Sequence, residues 1–336
     1  MAHVPLVEVT RGNDVESIHL GSVAVVNTRG DLLYQAGDPN FPTFTRSTIK
    51  PFQAAPFLRA DGPAKLGFTT REVALLCASH SGETMHIEAV QSMLRKAGCD
   101  EHRLRCGCHE PLVYAATGTR PPFGETYNQL HHNCSGKHAG FLACCELHGY
   151  PLASYLDPAH QVQQAVRSSV AHFAGISESG LRMGIDGCSA PNYAMPLSRL
   201  ALAYARLAHG DSDGLYGNAL KDLYQAMTRH PEMVSGTGRS DLAFMQAAPN
   251  DWVAKVGAEG VQVIGIRSAG LGIAIKVADG NSRALYTAAI SVLRQLELIE
   301  SPEMSPLAQW VRPQLTNFAG LRTGEVRAVV TLEKTH

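Results

Sequence analysis

His19-Leu20-Gly21-Ser22-Val23-Ala24-Val25-Val26-Asn27 near the start of the chain and Val261-Gln262-Val263-Ile264-Gly265-Ile266-Arg267 near its end are apolar, β-branched runs of strand length. Each has a neighbour of the same kind. Val4 to Thr10 and Asp31 to Ala36 flank the first run, and Asn27-Thr28-Arg29-Gly30-Asp31 supplies turn residues for a hairpin. Leu271 to Ala278 follows the second run across Ser268-Ala269-Gly270, and Arg327 to Leu332 is expected as one more strand. Strands from both ends that share one sheet predict an α+β fold: a terminal antiparallel β-sheet with a central helical region.

The middle of the chain carries helix punctuation. Thr69-Thr70-Arg71-Glu72 is a capping box before Val73-Ala74-Leu75-Leu76. Asp157-Pro158 opens a helix that Gly175 can close, and Pro196 to His209 ends at Gly210. Asp213 to Arg229 stops before Pro231, and Ala284 to Leu298 has helical spacing. With no repeat, low-complexity segment or linker, residues 1–336 are expected to form a single domain.

Composition excludes several classes. A net charge of −1 with no basic run argues against nucleic acid or an anionic membrane surface as partner. No apolar run approaches transmembrane length. Met1-Ala2-His3-Val4-Pro5 has no charged and then apolar leader, so a cytoplasmic location is expected. Cys77, Cys99, Cys106, Cys108, Cys134, Cys144, Cys145 and Cys188 then read as buried thiols, metal ligands or catalytic groups rather than disulfides. Only 8 of the 29 basic residues are lysines, which makes each lysine worth inspecting.

Thr45-Arg46-Ser47-Thr48-Ile49-Lys50-Pro51 holds the only Ser-x-x-Lys of the chain. Residues three apart share a helix face, so the Lys50 amine can lie beside the Ser47 hydroxyl and, when unprotonated, take its proton. Pro51 suits a first helical turn and places Ser47 near a helix N-terminus. Read alone, Ser47 could equally be a helix cap and Lys50 a solvated side chain. Three more segments concentrate polar chemistry between regular elements: Cys77-Ala78-Ser79-His80-Ser81-Gly82-Glu83, His131-His132-Asn133-Cys134-Ser135-Gly136-Lys137-His138, and Gly184-Ile185-Asp186-Gly187-Cys188-Ser189-Ala190-Pro191. Cys106-Gly107-Cys108-His109 competes as a metal site, although its cysteines are too close in sequence for a zinc knuckle. Lys255-Val256-Gly257 resembles the Lys-Thr-Gly element that accompanies Ser-x-x-Lys in serine β-lactamases and penicillin-binding proteins.

Taken in order, these segments resemble the asparaginase II family, the class 3 or Rhizobium etli-type L-asparaginases, over most of the chain. The resemblance implies a fold similar to serine β-lactamases and glutaminases, and hydrolysis of L-asparagine to L-aspartate and ammonia. It implies two Ser–Lys units, Ser47 with Lys50 and Ser79 with Lys255, in which Ser47 is the nucleophile and Lys50 its base. It implies a zinc site of Cys134, Lys137 and Cys188 with water, with Asp186 and His138 close by, Arg46 helping to position the site, and a homodimer. A lysine amine binds zinc only when unprotonated, so such a site must suppress the Lys137 charge. Zinc is expected to orient substrate rather than supply the attacking water. Three rivals remain at this point: a glutaminase or β-lactam-recognising acyl hydrolase, a zinc hydrolase in which Ser47 only binds, and a metal sensor without turnover.

Overall fold

The two ends of the chain meet in one antiparallel sheet. The computed structural model describes residues 3–335, so the Met1-Ala2 part of the expected leaderless start lies outside the described residues. The strands are β1 (Val4–Arg11), β2 (Asp14–Asn27), β3 (Leu32–Ala36), β4 (Pro42–Phe44), β5 (Arg182–Ile185) and β6 (Pro191–Pro196). They continue as β7 (Trp252–Gly257), β8 (Val261–Ile266), β9 (Leu271–Val277), β10 (Gln314–Thr316), β11 (Arg322–Ala328) and β12 (Glu333–Lys334). The main sheet runs β10-β11-β1-β2-β9-β8-β7, with β3 alongside β2 and β12 on β3; β4-β6-β5 form a small second sheet. Register is set by pairs such as Val9 with Val326 and Val23 with Ile275.

Gly21 to Val26 are buried without interruption, which requires cover on both faces of the sheet. Helices Leu197–His209 and Ser282–Gln295 pack against it. The cross-strand pair Gly265 and Gly272 explains how closely the first of these comes. A Cβ at Gly272 would stand 1.9 Å from the Ala201 carbonyl oxygen, and one at Gly265 2.4 Å from that of Tyr204. The helix backbone therefore lies directly on the strands, and Tyr204 reaches past them to the Ser47 segment, donating to the Thr48 carbonyl at 2.7 Å.

Both predicted hairpins form: Asn27 and Asp31 close one turn, and Ile266 pairs Leu271 across the other. The Thr69 capping box makes both of its hydrogen bonds, and Gly175 and Gly210 close their helices in the left-handed conformation. Several boundaries differ, among them β2, which starts at Asp14, and the helix Ser282–Gln295. The last long strand is Arg322–Ala328 rather than Arg327 to Leu332; its Gly324 lies against the Thr10 carbonyl and its buried Glu325 pairs with Arg312 and Arg322, polar features that read as loop. The helix expected from Asp213 starts at Ala219, because the Asp213 carboxylate accepts from Leu215 and Tyr216 and holds a turn. The helix expected after Asp157 is Gln161–Ala174, capped by the His160 side chain. Strand β7 was not anticipated, since Lys255 interrupts its apolar run.

Candidate active site

Ser47 stands in a single 3-10 turn, Arg46–Ile49, that runs into the helix Lys50–Arg59 with Pro51 in its first turn. Arg46 just before it has φ +51°, left-handed backbone that a residue with a Cβ rarely adopts. Thr48 steadies the turn by donating to the Thr45 carbonyl at 2.7 Å. Strand β7 ends against it: a Cβ on Gly257 would lie 2.9 Å from the Thr45 carbonyl oxygen, which is why Lys255-Val256 is followed by glycine. Ser47 itself is half-buried, and its hydroxyl bonds to no other described residue.

Lys50 is buried, and its hydrogen bonds differ from the expected pairing. Its amine donates to Ser79 Oγ at 2.9 Å and to the Ala78 carbonyl, with none to Ser47. Ser79 sits in the loop between helices Thr70–Leu76 and Thr84–Lys96, where its N–H donates to the Val234 carbonyl at 2.9 Å. Lys255 is not hydrogen-bonded to Ser79. Its amine is fully buried against Asp241 Oδ2 at 2.8 Å and the Val256 carbonyl at 2.9 Å. Asp241 is equally buried, and its second oxygen accepts the Val256 N–H at 2.7 Å. Burial pushes Lys255 down to about 8, against the opposing pull of Asp241 and with help from the charge of nearby Lys50. Sequence reasoning missed Asp241, and no local pattern marks it.

The other cluster forms where helix Ser135–His148 begins. Gly136 lets this helix pack on its neighbour, since a Cβ there would stand 2.5 Å from the Leu75 carbonyl oxygen. Cys134 is the N-cap residue, and Lys137 lies one turn on with its amine 2.9 Å from Cys188 Sγ. Its neighbour Cys134 and the Lys137 charge together outweigh burial and drive the Cys188 thiol far down. Cys188 and burial in turn drive Cys134 up. Burial works against the Lys137 ammonium, but the charges of Cys188 and Cys134 prevail and raise it. His138 is held neutral by burial, at about 4; its Nδ1 meets Tyr155 Oη at 2.7 Å while its buried Nε2 has no hydrogen-bond partner among the described residues. Thiols and an amine are donor types that zinc accepts, but contrary to expectation the Lys137 charge is favoured here rather than suppressed, so a metal would have to displace its proton.

Arg46 connects the two clusters, with Nε 2.8 Å from Asp186 Oδ1 two residues before Cys188. Lys50 also contributes to the electrostatic field at Cys134. Beside Arg46 opens a groove of about 430 Å³ lined by Phe44, Asp186, Asn192, Glu259 and Lys276. The structure thus brings Arg46 to Asp186, Lys50 to Ser79, and Lys137 to Cys188. Cys106 is buried and Cys108 exposed, and no set of three His, Cys, Asp or Glu side chains among the described residues is arranged to hold a metal.

The sequence pattern of the family described as L-asparaginase II matches residues 7–328. No curated protein sequence matches the chain. Among solved structures, the chain is similar to a β-lactamase from Mycobacterium bovis at 12% identity and TM-score 0.45, covering 82% of this chain and 94% of that one. It is similar to Mglu in its native form at 14% identity and TM-score 0.46, covering 83% and 65%. A simvastatin synthase mutant from Aspergillus terreus is similar at 12% identity and TM-score 0.38, covering 82% and 93%.

Proposed function

The chain belongs to the L-asparaginase II family, and we propose that it hydrolyses the side-chain amide of L-asparagine to L-aspartate and ammonia with Ser47 as nucleophile. The observation that carries this is a half-buried serine hydroxyl, unengaged among the described residues, directly after a residue with left-handed backbone and three residues before a buried lysine bonded to a second serine. Ser47 Oγ attacks the amide carbon while its proton passes to the Lys50 amine, with the Ser79 hydroxyl as a relay at 2.9 Å from that amine. The same proton is then delivered to the departing ammonia. Water hydrolyses the resulting ester by the reverse route. Lys255, pinned by Asp241, acts as a fixed cation that stabilises negative charge developing nearby.

Cys134, Lys137 and Cys188 would hold a zinc ion, with His138 and Asp186 beside it and Arg46 positioning substrate. When bound, zinc would supply a Lewis acid that fixes a substrate oxygen. The orphaned His138 Nε2 supports a further polar occupant here. The reading also takes residues 1–336 as one functional unit and the assembly as a homodimer, which light scattering would test.

One observation favours a second reading. Lys50 is bonded to Ser79, so Ser79 could be the nucleophile and Ser47 the relay; the 3% exposure of Ser79 counts against it. Ammonia release from asparagine, compared with glutamine and a chromogenic β-lactam, tests the activity. Mass spectrometry of the trapped acyl-enzyme identifies the serine. No ammonia from either amide would leave a metal sensor or another hydrolase as the better account.

A further inference from the structure

A non-glycine residue with φ +51° persists only where its surroundings hold it there. Arg46 is held chiefly by one side chain. Asn192, 3% exposed on β6, accepts the Arg46 N–H through Oδ1 at 3.0 Å and donates through Nδ2 to the Arg46 carbonyl at 3.0 Å. The carboxamide so takes both peptide groups of the strained residue, as a neighbouring strand would. Its Oδ1 is also 3.4 Å from Thr45 Oγ1, while the Tyr193 carbonyl accepts the Thr45 N–H and hydroxyl at 3.0 and 2.9 Å. The β5–β6 hairpin therefore grips the segment just before Ser47 by its main chain, and separately grips the Arg46 guanidinium through Asp186.

We propose that Asn192 is a positioning residue for the nucleophile: its carboxamide locks Arg46 in the left-handed conformation that presents Ser47. This rests on the reading of Ser47 as nucleophile. The chemistry required is specific, because one group must both accept and donate. Aspartate has no donor for the Arg46 carbonyl, and leucine of similar shape has neither function. Without the clamp the turn relaxes toward ordinary backbone, and the hydroxyl is misplaced at the cost of rate rather than of the whole fold.

The test is a double-mutant cycle read by the rate at which diisopropyl fluorophosphate labels Ser47, located by mass spectrometry. This small reagent does not need the Arg46 guanidinium. Asn192→Ala should slow labelling by about 10- to 100-fold, the range expected if the held conformation is strained. In an Arg46→Gly background the same change should cost less than about 3-fold, because glycine takes positive φ without penalty. Losses that multiply independently in the two backgrounds would overturn the proposal, since a merely structural role predicts additivity. If Asn192→Ala does not fold, Asn192→Asp replaces it in the same cycle, keeping the acceptor and the shape. Label appearing on another serine would overturn the Ser47 reading and this proposal with it. Label on Ser47 with an additive cycle would overturn this proposal alone.

Discussion

Lys50 Nζ and Ser79 Oγ, 29 residues apart in sequence, share a buried hydrogen bond of 2.9 Å, while Ser47 on the same turn as Lys50 shares none with it. The lysine of the Ser-x-x-Lys motif is thereby turned inward, against the loop that follows helix Thr70–Leu76. Ser79 orients the amine and leaves the Ser47 hydroxyl without a bond to it. The expected pairs, Ser47 with Lys50 and Ser79 with Lys255, give way to two separate contacts: Lys50 with Ser79, and Lys255 with Asp241.

Replacing Ser47 by alanine should abolish ammonia release while leaving the fold intact. The side chain is half-buried and its hydroxyl makes no bond among the described residues, so the stability change should stay within about 0.5 kcal/mol. Thermal melting and an ammonia assay on the same sample check both halves. Normal turnover would remove Ser47 as nucleophile.

Lys50→Met should also lose most turnover, but with a structural cost. Methionine fills similar volume and leaves the Ala78 carbonyl and the Ser79 hydroxyl without their donor. An unpaired buried group costs about 1–3 kcal/mol, offset in part by removing a buried amine. Denaturant titration would measure the loss. A stable variant with ordinary kcat would exclude Lys50 as the base.

Asp241→Asn tests the Lys255 ion pair through pH. Burial holds Lys255 near 8 in the folded protein, against an ordinary 10.5, so the unfolded chain binds the extra proton between those values and stability rises with pH across that window. Asp241 opposes the shift. Removing its charge lowers the folded value further and extends the window below 8. The variant should therefore be less stable than the parent at neutral pH, with the deficit shrinking as pH rises toward 8. A Tm difference that stays constant from about pH 6 to about pH 9 would contradict the assignment.

What the sequence makes legible here is what acts locally. The Thr69 box, Gly175 and Gly210 specify helix ends through contacts within a turn, and Val23 to Val26 announce a buried strand by composition alone. The chemistry-bearing segments could be picked out because polar clusters between elements stand apart from a core. Their partners could not. Asn192 is 146 residues from the backbone it clamps, and Asp241 reads as an ordinary acidic residue in a helix first turn. Nor does spacing reveal that Lys50 faces Ser79, because the i, i+3 rule describes one helix and the partner belongs to another loop.

Gly257→Ala should act on the nucleophile turn from the sheet. The added methyl would lie 2.9 Å from the Thr45 carbonyl oxygen and 3.3 Å from Arg46 Cβ, and backbone cannot step aside as a flexible side chain does. Overpacking of this kind costs about 1–3 kcal/mol. The distinctive expectation is kinetic: kcat should fall because Arg46 and Ser47 are displaced. Full activity in a destabilised variant would mean that β7 supports the fold but not the turn.

The cysteine-lysine cluster makes the last prediction. Cys134, Lys137 and Cys188 meet beside an imidazole nitrogen with no hydrogen-bond partner among the described residues, and purified protein should carry one zinc per chain at that place. Cys134→Ser and Cys188→Ser should each lose most of the metal, because a serine hydroxyl stays protonated and binds zinc poorly. Ser47→Ala should retain the metal, which separates loss of the site from loss of activity. If zinc orients substrate, stripping it with a chelator should raise KM more than it lowers kcat, and adding zinc back should restore the parent value. Metal analysis gives the first result and steady-state kinetics the second. Full zinc content in Cys188→Ser would place the metal elsewhere, and a fall in kcat at unchanged KM would give the metal a direct part in the attack.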